Sequence, residues 1–237
     1  MRYLFSNGQI LEWGVLGDFL IRKNVSGRSF LGYLLCAIFL IAVISYLLGS
    51  INPAILISKK RYGQDVRTLG SGNAGMTNMF RSFGKSAGFL TLAGDSAKAL
   101  VAVLAGFLIL GAPGQYVAGF FCLLGHAFPV YFHFKGGKGV IVSAITILLI
   151  DPLVFLTLIV IFALMFAATQ IISASSLTAA FFYPLVVYAF NINHPGTIYI
   201  LFSLLTSFLV IGMHRENIHR LINKTEKKFV IKKKDKQ

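Results

Sequence analysis

Three polar runs interrupt an otherwise apolar chain, and each carries residue types suited to gripping phosphate. The first reads Gly70-Ser71-Gly72-Asn73-Ala74-Gly75-Met76-Thr77-Asn78 and continues to Arg81 and Gly84. Glycines let a backbone turn tightly and aim N–H groups at an anion, while Ser71 and Asn73 add side-chain donors. A short helix beginning near Ala74 would bring Thr77, Asn78 and Arg81 onto one face, because residues three and four apart align on a helix. Such a face presents a guanidinium fork to a phosphate. An ordinary Gly/Ser/Asn-rich loop between helices fits the same run.

The second run extends from Gly125-His126-Ala127-Phe128-Pro129 to Phe134-Lys135-Gly136-Gly137-Lys138-Gly139. Two lysines around a glycine pair make a compact cationic loop, and a helix starting just after it would point its N-terminus at a bound phosphate. The pattern G-x-x-x-x-G-K-[ST] is absent, so nucleotide hydrolysis has no support. A tight turn with topology-setting lysines is the plainer alternative. His126, near the end of an apolar run, reads first as a hydrogen-bonded packing residue.

The third run is His214-Arg215-Glu216-Asn217, followed by Arg220 and Leu221. At helical spacing His214 and Asn217 share a face that could bind an anion or handle a proton, and Glu216 and Arg220 form a supporting ion pair four residues apart. A positively charged helix end at the membrane interface would look much the same. Ser173, Ser175 and Ser176 begin another apolar run, where serines serve packing and capping as well as substrate contact. Asp95 and Lys98 lie one turn apart inside an apolar run, where unpaired charges are expensive, so they are expected to pair.

Several catalytic signatures are absent. The chain has no G-x-S-x-G elbow, no H-x-x-x-x-D, no H-E-x-x-H and no carboxylate cluster suited to Mg²⁺, so neither metal nor cofactor is expected. A cationic site with glycines and hydroxyls can hold two phosphates and stabilise charge developing between them. That suits transfer from an already activated phosphate ester or anhydride.

The elements that must position these runs are membrane helices. The 237 residues are 56% hydrophobic and 13% charged, with mean hydropathy +0.76, outside the usual balance of a soluble domain. Fold class is therefore all-α, a polytopic integral membrane protein. Spans are expected at about 30–57, 86–110, 115–132, 139–150, 153–168, 171–190 and 197–213, seven in all, with a kink near Pro53. The net charge of +14 would suggest nucleic acid in a soluble protein. Here the charge is confined to loops and the tail, which points to anionic lipid headgroups and anionic substrates and away from nucleic acid. Cys36 and Cys122 lie in apolar runs and read as packing residues.

Asp151-Pro152 splits the region from Gly139 to Ala168 into two short pieces. A single kinked helix would leave Asp151 near mid-membrane at about 2.5–3.5 kcal/mol; a hairpin puts it at the surface as a turn. Positive charge favours the hairpin, because only then do the Lys59–Lys85 loop, the Lys135/Lys138 loop and the basic tail share one side, the cytoplasm. The N-terminus then lies outside. Residues 1–29 are not a convincing signal peptide, since Glu12, Trp13 and Asp18 break their apolar stretch, and they read as an extension of unknown role.

Tyr46-Leu47-Leu48-Gly49-Ser50-Ile51, the Gly70–Gly84 loop, the run from Gly125 to Gly139 and His214–Leu221 together resemble the bacterial acyl-phosphate-dependent glycerol-3-phosphate acyltransferases, the PlsY family. The likeness runs from about Gly32 to Phe229 in the same order and spacing. It implies seven membrane helices, no metal or cofactor, and transfer of a fatty acyl chain from acyl phosphate to the 1-hydroxyl of glycerol 3-phosphate, forming lysophosphatidic acid. By motif it carries catalytic roles to Ser71, Arg81, Lys138, His214 and Asn217. Gly136, Gly137 and Gly139 match the acyl-phosphate loop, and Thr77 and Ser176 match pocket-lining positions. With Gly70, Asn73, Asn78 and Lys135 from the residue reading, these complete the expected substrate-binding set. The resemblance further implies a bacterial inner-membrane location, a cytoplasm-facing site within residues 30–237, and a functional link to the synthase that makes acyl phosphate. Ala74-Gly75-Met76 departs from the more common Pro/Val-Gly-Ala.

Overall fold

Prolines and glycines stand where the apolar runs break. A computed structural model describes residues 14–190 and 197–229, and every regular element among them is helical apart from short 3-10 turns. The chain divides into two units, the first ending at Ile150 and the second beginning at Asp151.

The first unit holds α1 (Gly14–Arg22), α2 (Gly27–Ser50), α3 (Pro53–Tyr62), α4 (Met76–Phe83), α5 (Lys85–Ala127) and α6 (Val140–Ile150). The break expected near Pro53 falls at Ile51-Asn52. Asn52 then starts α3 by accepting the Ile55 N–H at 3.1 Å, with Pro53 at the first helical position, where its missing N–H costs nothing. Gly63, at φ 66°, ends α3 in the left-handed conformation that glycine adopts freely.

Helix α5 is a hairpin. Its backbone leaves helical geometry at Leu110 and Gly111, and a Cβ on Gly106 would stand 2.7 Å from the Cβ of Ala118. A straight helix would separate those residues by about 18 Å. The arms 85–109 and 112–127 therefore run antiparallel, as the two expected spans 86–110 and 115–132 require. Small residues let the helices approach without a hydrophobic drive between them. On α2 the buried face is Ala37, Ile41, Ala42, Ser45 and Gly49, and a Cβ on Gly49 would overlap the Cys122 carbonyl oxygen. The opposite face of α2 exposes Leu31, Leu35, Phe39 and Leu40, as suits contact with lipid tails.

Within residues 1–29, α1 lays Leu16 against Ile41, Leu110 and their neighbours at the hairpin tip, and Leu20 is fully buried. Asp18 and Arg22 pair at 2.8 Å on its outer side. Residues 1–13 lie outside the described residues.

The second unit holds α7 (Pro152–Thr169), α8 (Ile172–Phe190), α9 (Thr197–Met213) and α10 (Arg215–Ile222). Asp151 caps α7, its Oδ1 accepting the Leu153 and Val154 N–H groups at 3.1 Å each. The axis bends by 61° at His214, between α9 and α10. By length and composition, four described stretches are apolar enough to cross a membrane, or five if the bent α9–α10 pair counts as one span. One of the four, Lys85–Phe132, contains the hairpin. The molecule is an integral membrane protein.

Candidate active site

The glycine-rich run needs an internal scaffold because Gly70 and Gly72 both take positive φ and supply no side chains to pack. Asn78 provides it. Its Oδ1 accepts the Ser71 N–H at 3.0 Å, and its Nδ2 lies 2.9 Å from Leu69 O, 3.0 Å from Val66 O and 3.1 Å from Asn73 O. Asn78 is buried beneath the loop, whereas Arg81, one turn later on α4, is exposed and Thr77 is half-buried. The shared face expected for the three is thus divided between holding the loop and facing outward. Helix α4 begins at Met76, two residues after the expected start, with Gly75 at its N-cap. Ser71 and Asn73 are half-buried on the loop, and Gly70 is exposed.

The lysine loop is stitched to the first run by Arg67. Its Nη1 donates to Phe132 O at 2.9 Å and Lys135 O at 3.1 Å, while Nε and Nη2 bind the Asp65 carboxylate at 2.8–3.2 Å. Lys59 adds a further contact to Asp65 at 3.3 Å. The hydrogen bonds from Arg67 outweigh partial burial and hold the Asp65 carboxyl well below the usual carboxylate range; the same pairing raises Arg67. Asn52, at the start of α3, ties the glycine-rich run to that helix: its Nδ2 reaches Ala74 O at 3.4 Å.

Within the lysine loop, Gly136 N–H donates to Ala127 O and Gly137 N–H to His126 O, both at 3.1 Å, which folds the loop onto the end of α5. Gly137 has no room for a side chain: a Cβ there would overlap the His126 ring and stand 2.7 Å from Ala74 O. Gly139, at φ 77°, turns the chain into α6. Lys138 is half-buried just before that helix N-terminus, and Lys135 is exposed. The first unit therefore brings Ser71, Asn73, Lys135, Lys138 and the three loop glycines onto two neighbouring, cross-tied loops, with Arg81 on α4, the helix that follows the first of them.

In the second unit, His214 and Asn217 are both buried at the α9–α10 bend. Nδ1 of His214 lies 2.7 Å from Val210 O. A carbonyl oxygen only accepts, so Nδ1 carries the proton and, in the neutral ring, Nε2 is the basic nitrogen. Asn217 Nδ2 donates to Glu226 Oε1 at 2.7 Å, Ser173 Oγ donates to the same oxygen at 2.8 Å, and Arg220 Nε donates to Oε2 at 2.6 Å. Burial pushes the Glu226 carboxyl up, but these three donors and the Arg220 charge outweigh it and leave it lowered. The expected Glu216–Arg220 pair is present only at 3.7 Å and mostly exposed; the close partner of Arg220 is Glu226. Ser176 Oγ donates to Ile172 O at 2.9 Å within its own helix. Among the described residues no cluster of three or more His, Cys, Asp or Glu could hold a metal ion.

Sequence reasoning passed over Asn52, Asp65, Arg67 and Glu226. Asn52-Pro53 was a readable helix-start signal. Asp65 pairs locally with Arg67, two residues on, but the partners of Arg67 at Phe132 and Lys135 and of Glu226 at Ser173 are distant in the chain, and no local spacing announces them.

The family model described as glycerol-3-phosphate acyltransferase matches residues 39–224. The glycerol-3-phosphate acyltransferase of Bacillus subtilis (strain 168) is 40% identical over 189 residues, covering 80% of this chain and 96% of that protein. That of Geobacillus kaustophilus (strain HTA426) is also 40% identical over 189 residues, covering 80% and 94%. The crystal structure of PlsY, an integral membrane glycerol 3-phosphate acyltransferase, in its glycerol 3-phosphate form superposes with TM-score 0.75 at 31% identity, covering 81% of this chain and 96% of that one. Its lysophosphatidic acid form gives 0.72 at 29% identity, covering 81% and 95%.

Proposed function

Since the chain belongs to the PlsY family of glycerol-3-phosphate acyltransferases, we propose that it moves a fatty acyl group from acyl phosphate to the 1-hydroxyl of glycerol 3-phosphate. Lysophosphatidic acid and inorganic phosphate are the products. The observation that carries this reading is the pair of loops in the first unit. Two runs of hydroxyls, amides and cations, bound together by Arg67 and meeting at Gly137, suit the capture of phosphates.

The glycerol oxygen attacks the acyl carbonyl carbon, the carbon–oxygen bond to phosphate breaks, and the phosphate departs with the bond's electron pair. Ser71, Arg81 and Lys138 hold phosphate and offset the charge that grows on the leaving group. Gly70, Asn73, Thr77, Asn78, Lys135, Gly136, Gly137, Gly139 and Ser176 shape and line the binding sites. Asn78 does so from beneath its loop, as its hydrogen bonds indicate. His214, with Nδ1 held by Val210, offers Nε2 to the hydroxyl proton, and a substrate phosphate oxygen is the competing acceptor. Asn217 acts beside His214 on α10. The activated phosphate supplies the driving force, so the residues call for neither metal nor cofactor.

The chain crosses the bacterial inner membrane seven times, with the three polar runs on the cytoplasmic side and the N-terminus outside. Support comes from the α5 hairpin, the break at Asp151, and the concentration of Lys and Arg in the Lys59–Lys85 loop, the Lys135/Lys138 loop and the tail, which outweighs Arg2, Arg22, Lys23 and Arg28 on the outer side. The acyl donor is the product of an acyl-phosphate-forming synthase, and the acyl chain arrives among membrane lipids.

The decisive assay offers the purified protein acyl phosphate, acyl-CoA or acylated carrier protein, each with labelled glycerol 3-phosphate. Labelled lysophosphatidic acid should form from acyl phosphate alone. Formation only from a thioester donor would overturn the assignment.

A further inference from the structure

The ammonium of Lys98 spends its three protons on acceptors from α2 and the second arm of α5, and pairs by charge with Asp95, whose Oδ1 receives no hydrogen bond. Its Nζ lies 2.8 Å from Ile51 O, 3.0 Å from Gly49 O, 3.0 Å from Asp95 Oδ1 and 2.8 Å from His126 Nδ1. Asp95, Lys98 and His126 are all buried. Gly49 and Ile51 stand where α2 ends, and the last carbonyls of a helix have no partner inside it. Lys98 therefore caps α2 from the neighbouring hairpin, and Asp95 balances its charge, as their spacing one turn apart leads one to expect.

The cluster also fixes the histidine ring. Lysine only donates, so Nδ1 of His126 must accept from it, and the proton of the neutral imidazole lies on Nε2. Asp95 Oδ1, 3.3 Å from Nδ1, is joined to the ring through the ammonium they share, because carboxylate and Nδ1 are both acceptors here. The far edge of the same ring forms the wall against which Gly137 rests, at the place where a Cβ on Gly137 would overlap Nε2. Across Gly137 stands Ala74 O, the end of the glycine-rich loop. A chain of contacts thus runs from the end of α2 through Lys98 and His126 to the junction of the two phosphate-gripping loops.

We propose that Lys98 and His126 are positioning residues for phosphate capture, with Lys98 setting the imidazole and the imidazole setting the spacing between the lysine loop and the glycine-rich loop. A buried ion cluster is a weak source of net stability, and its value is directional. This proposal rests on the reading that these loops grip a substrate phosphate.

The test is a double-mutant cycle on the full chain in detergent with His126→Ala, Gly137→Ala and the pair, alongside Lys98→Met and His126→Asn. Each single loss should raise KM for a phosphorylated substrate about tenfold or more, with kcat kept within about threefold. The pair should lose less than the product of the two singles, since removing the ring makes room for the new methyl group. His126→Asn, whose Oδ1 can accept from Lys98, should recover part of what His126→Ala loses. A purely structural role would instead lower the yield of active enzyme and leave KM alone. KM values within twofold of the parent in folded His126→Ala, or strictly multiplicative losses in the pair, overturn the proposal even if Lys98→Met fails to fold. Protection of each variant against heating by glycerol 3-phosphate, read without any acyl donor, repeats the comparison independently of the transfer reaction. An inactive parent that glycerol 3-phosphate still protects sinks the acyl-transfer reading and leaves the positioning test standing.

Discussion

Nη1 of Arg67 donates to the carbonyl oxygen of Lys135 at 3.1 Å, tying two loops that are 68 residues apart in the chain. The same nitrogen holds Phe132 O, and the rest of the guanidinium is fastened to Asp65. Only a planar fork can satisfy both sides at once. Arg67→Lys keeps the charge and loses the fork, so kcat/KM for glycerol 3-phosphate should fall about tenfold, equivalent to about 1.4 kcal/mol. Arg67→Met should fall further. Unchanged kinetics in Arg67→Met would show that the tie has no bearing on the reaction.

The Asp65 carboxyl is held below its ordinary value chiefly by Arg67, so its ionised form is favoured in the folded state. A carboxylate with a depressed folded pKa contributes stability that is complete above its unfolded pKa, about 3.9, and is lost as pH falls toward the folded value. Thermal stability from this pair should therefore be level between about pH 5 and 8 and decline below about pH 4. Asp65→Asn should be less stable at neutral pH and lose less on acidification. A parent-like acid profile in that variant would remove the ion pair from the account.

Much of this architecture is legible in the sequence. The apolar runs, the break before Pro53, the two arms about Gly111 and the turn at Asp151 all follow from hydropathy and from residues with fixed backbone habits. The three polar runs are equally visible, because Gly, Ser, Asn, Lys and Arg stand out against 56% hydrophobic residues. What could not be read is which polar residues face substrate and which serve the loops. Asn78 and Asn73 look alike in sequence, yet Asn78 is buried and spends its amide on the backbone. Lys98 could be matched with Asp95 one turn away, but His126 and the α2 carbonyls reach it only once α5 folds back. Glu226 was invisible for the same reason, since its donors come from α8 and α10.

Asn78 should be the least replaceable residue of the glycine-rich loop in structural terms. Asn78→Ala strands the Ser71 N–H, at about 1–3 kcal/mol for an unsatisfied buried group, and removes the clamp on Val66 O, Leu69 O and Asn73 O, each of which keeps one backbone N–H partner. Asn78→Asp retains the acceptor for Ser71 N–H while losing both donors. Both variants should melt earlier than the parent, with glycerol 3-phosphate giving little protection. Full protection of Asn78→Ala by the substrate would show that the loop keeps its form without this amide.

Ser71 and Lys138 should behave differently, because neither is the core of its loop. Ser71→Ala and Lys138→Ala should keep the parent's melting temperature within a few degrees and lose about 100-fold or more in the incorporation of labelled glycerol 3-phosphate, as expected when a donor to developing charge is removed. Lys138→Arg keeps the charge but spreads it over a wider group, so partial recovery is expected. Near-parent turnover in both alanine variants would remove them from the site.

Glu226 gathers Ser173, Asn217 and Arg220 around one carboxylate, and Phe229 N–H donates to Gln170 O at 2.7 Å just beyond it. Together these contacts hold the segment after α10 against the start of α8 and fix the amide that sits one turn from His214. Glu226→Gln replaces one acceptor oxygen by a donor NH₂, which cannot receive from Arg220, so the ion pair is lost while volume is kept. Turnover should fall about tenfold or more and the protein should melt earlier. Arg220→Ala leaves the carboxylate its Ser173 and Asn217 donors and should be milder. Because the folded Glu226 pKa is lowered, its contribution is complete above about pH 4.3 and fades below it. The comparison is made by activity and by protease cleavage after α10. If the Gln variant resists protease and turns over as the parent does, Asn217 owes its placement to α10 alone.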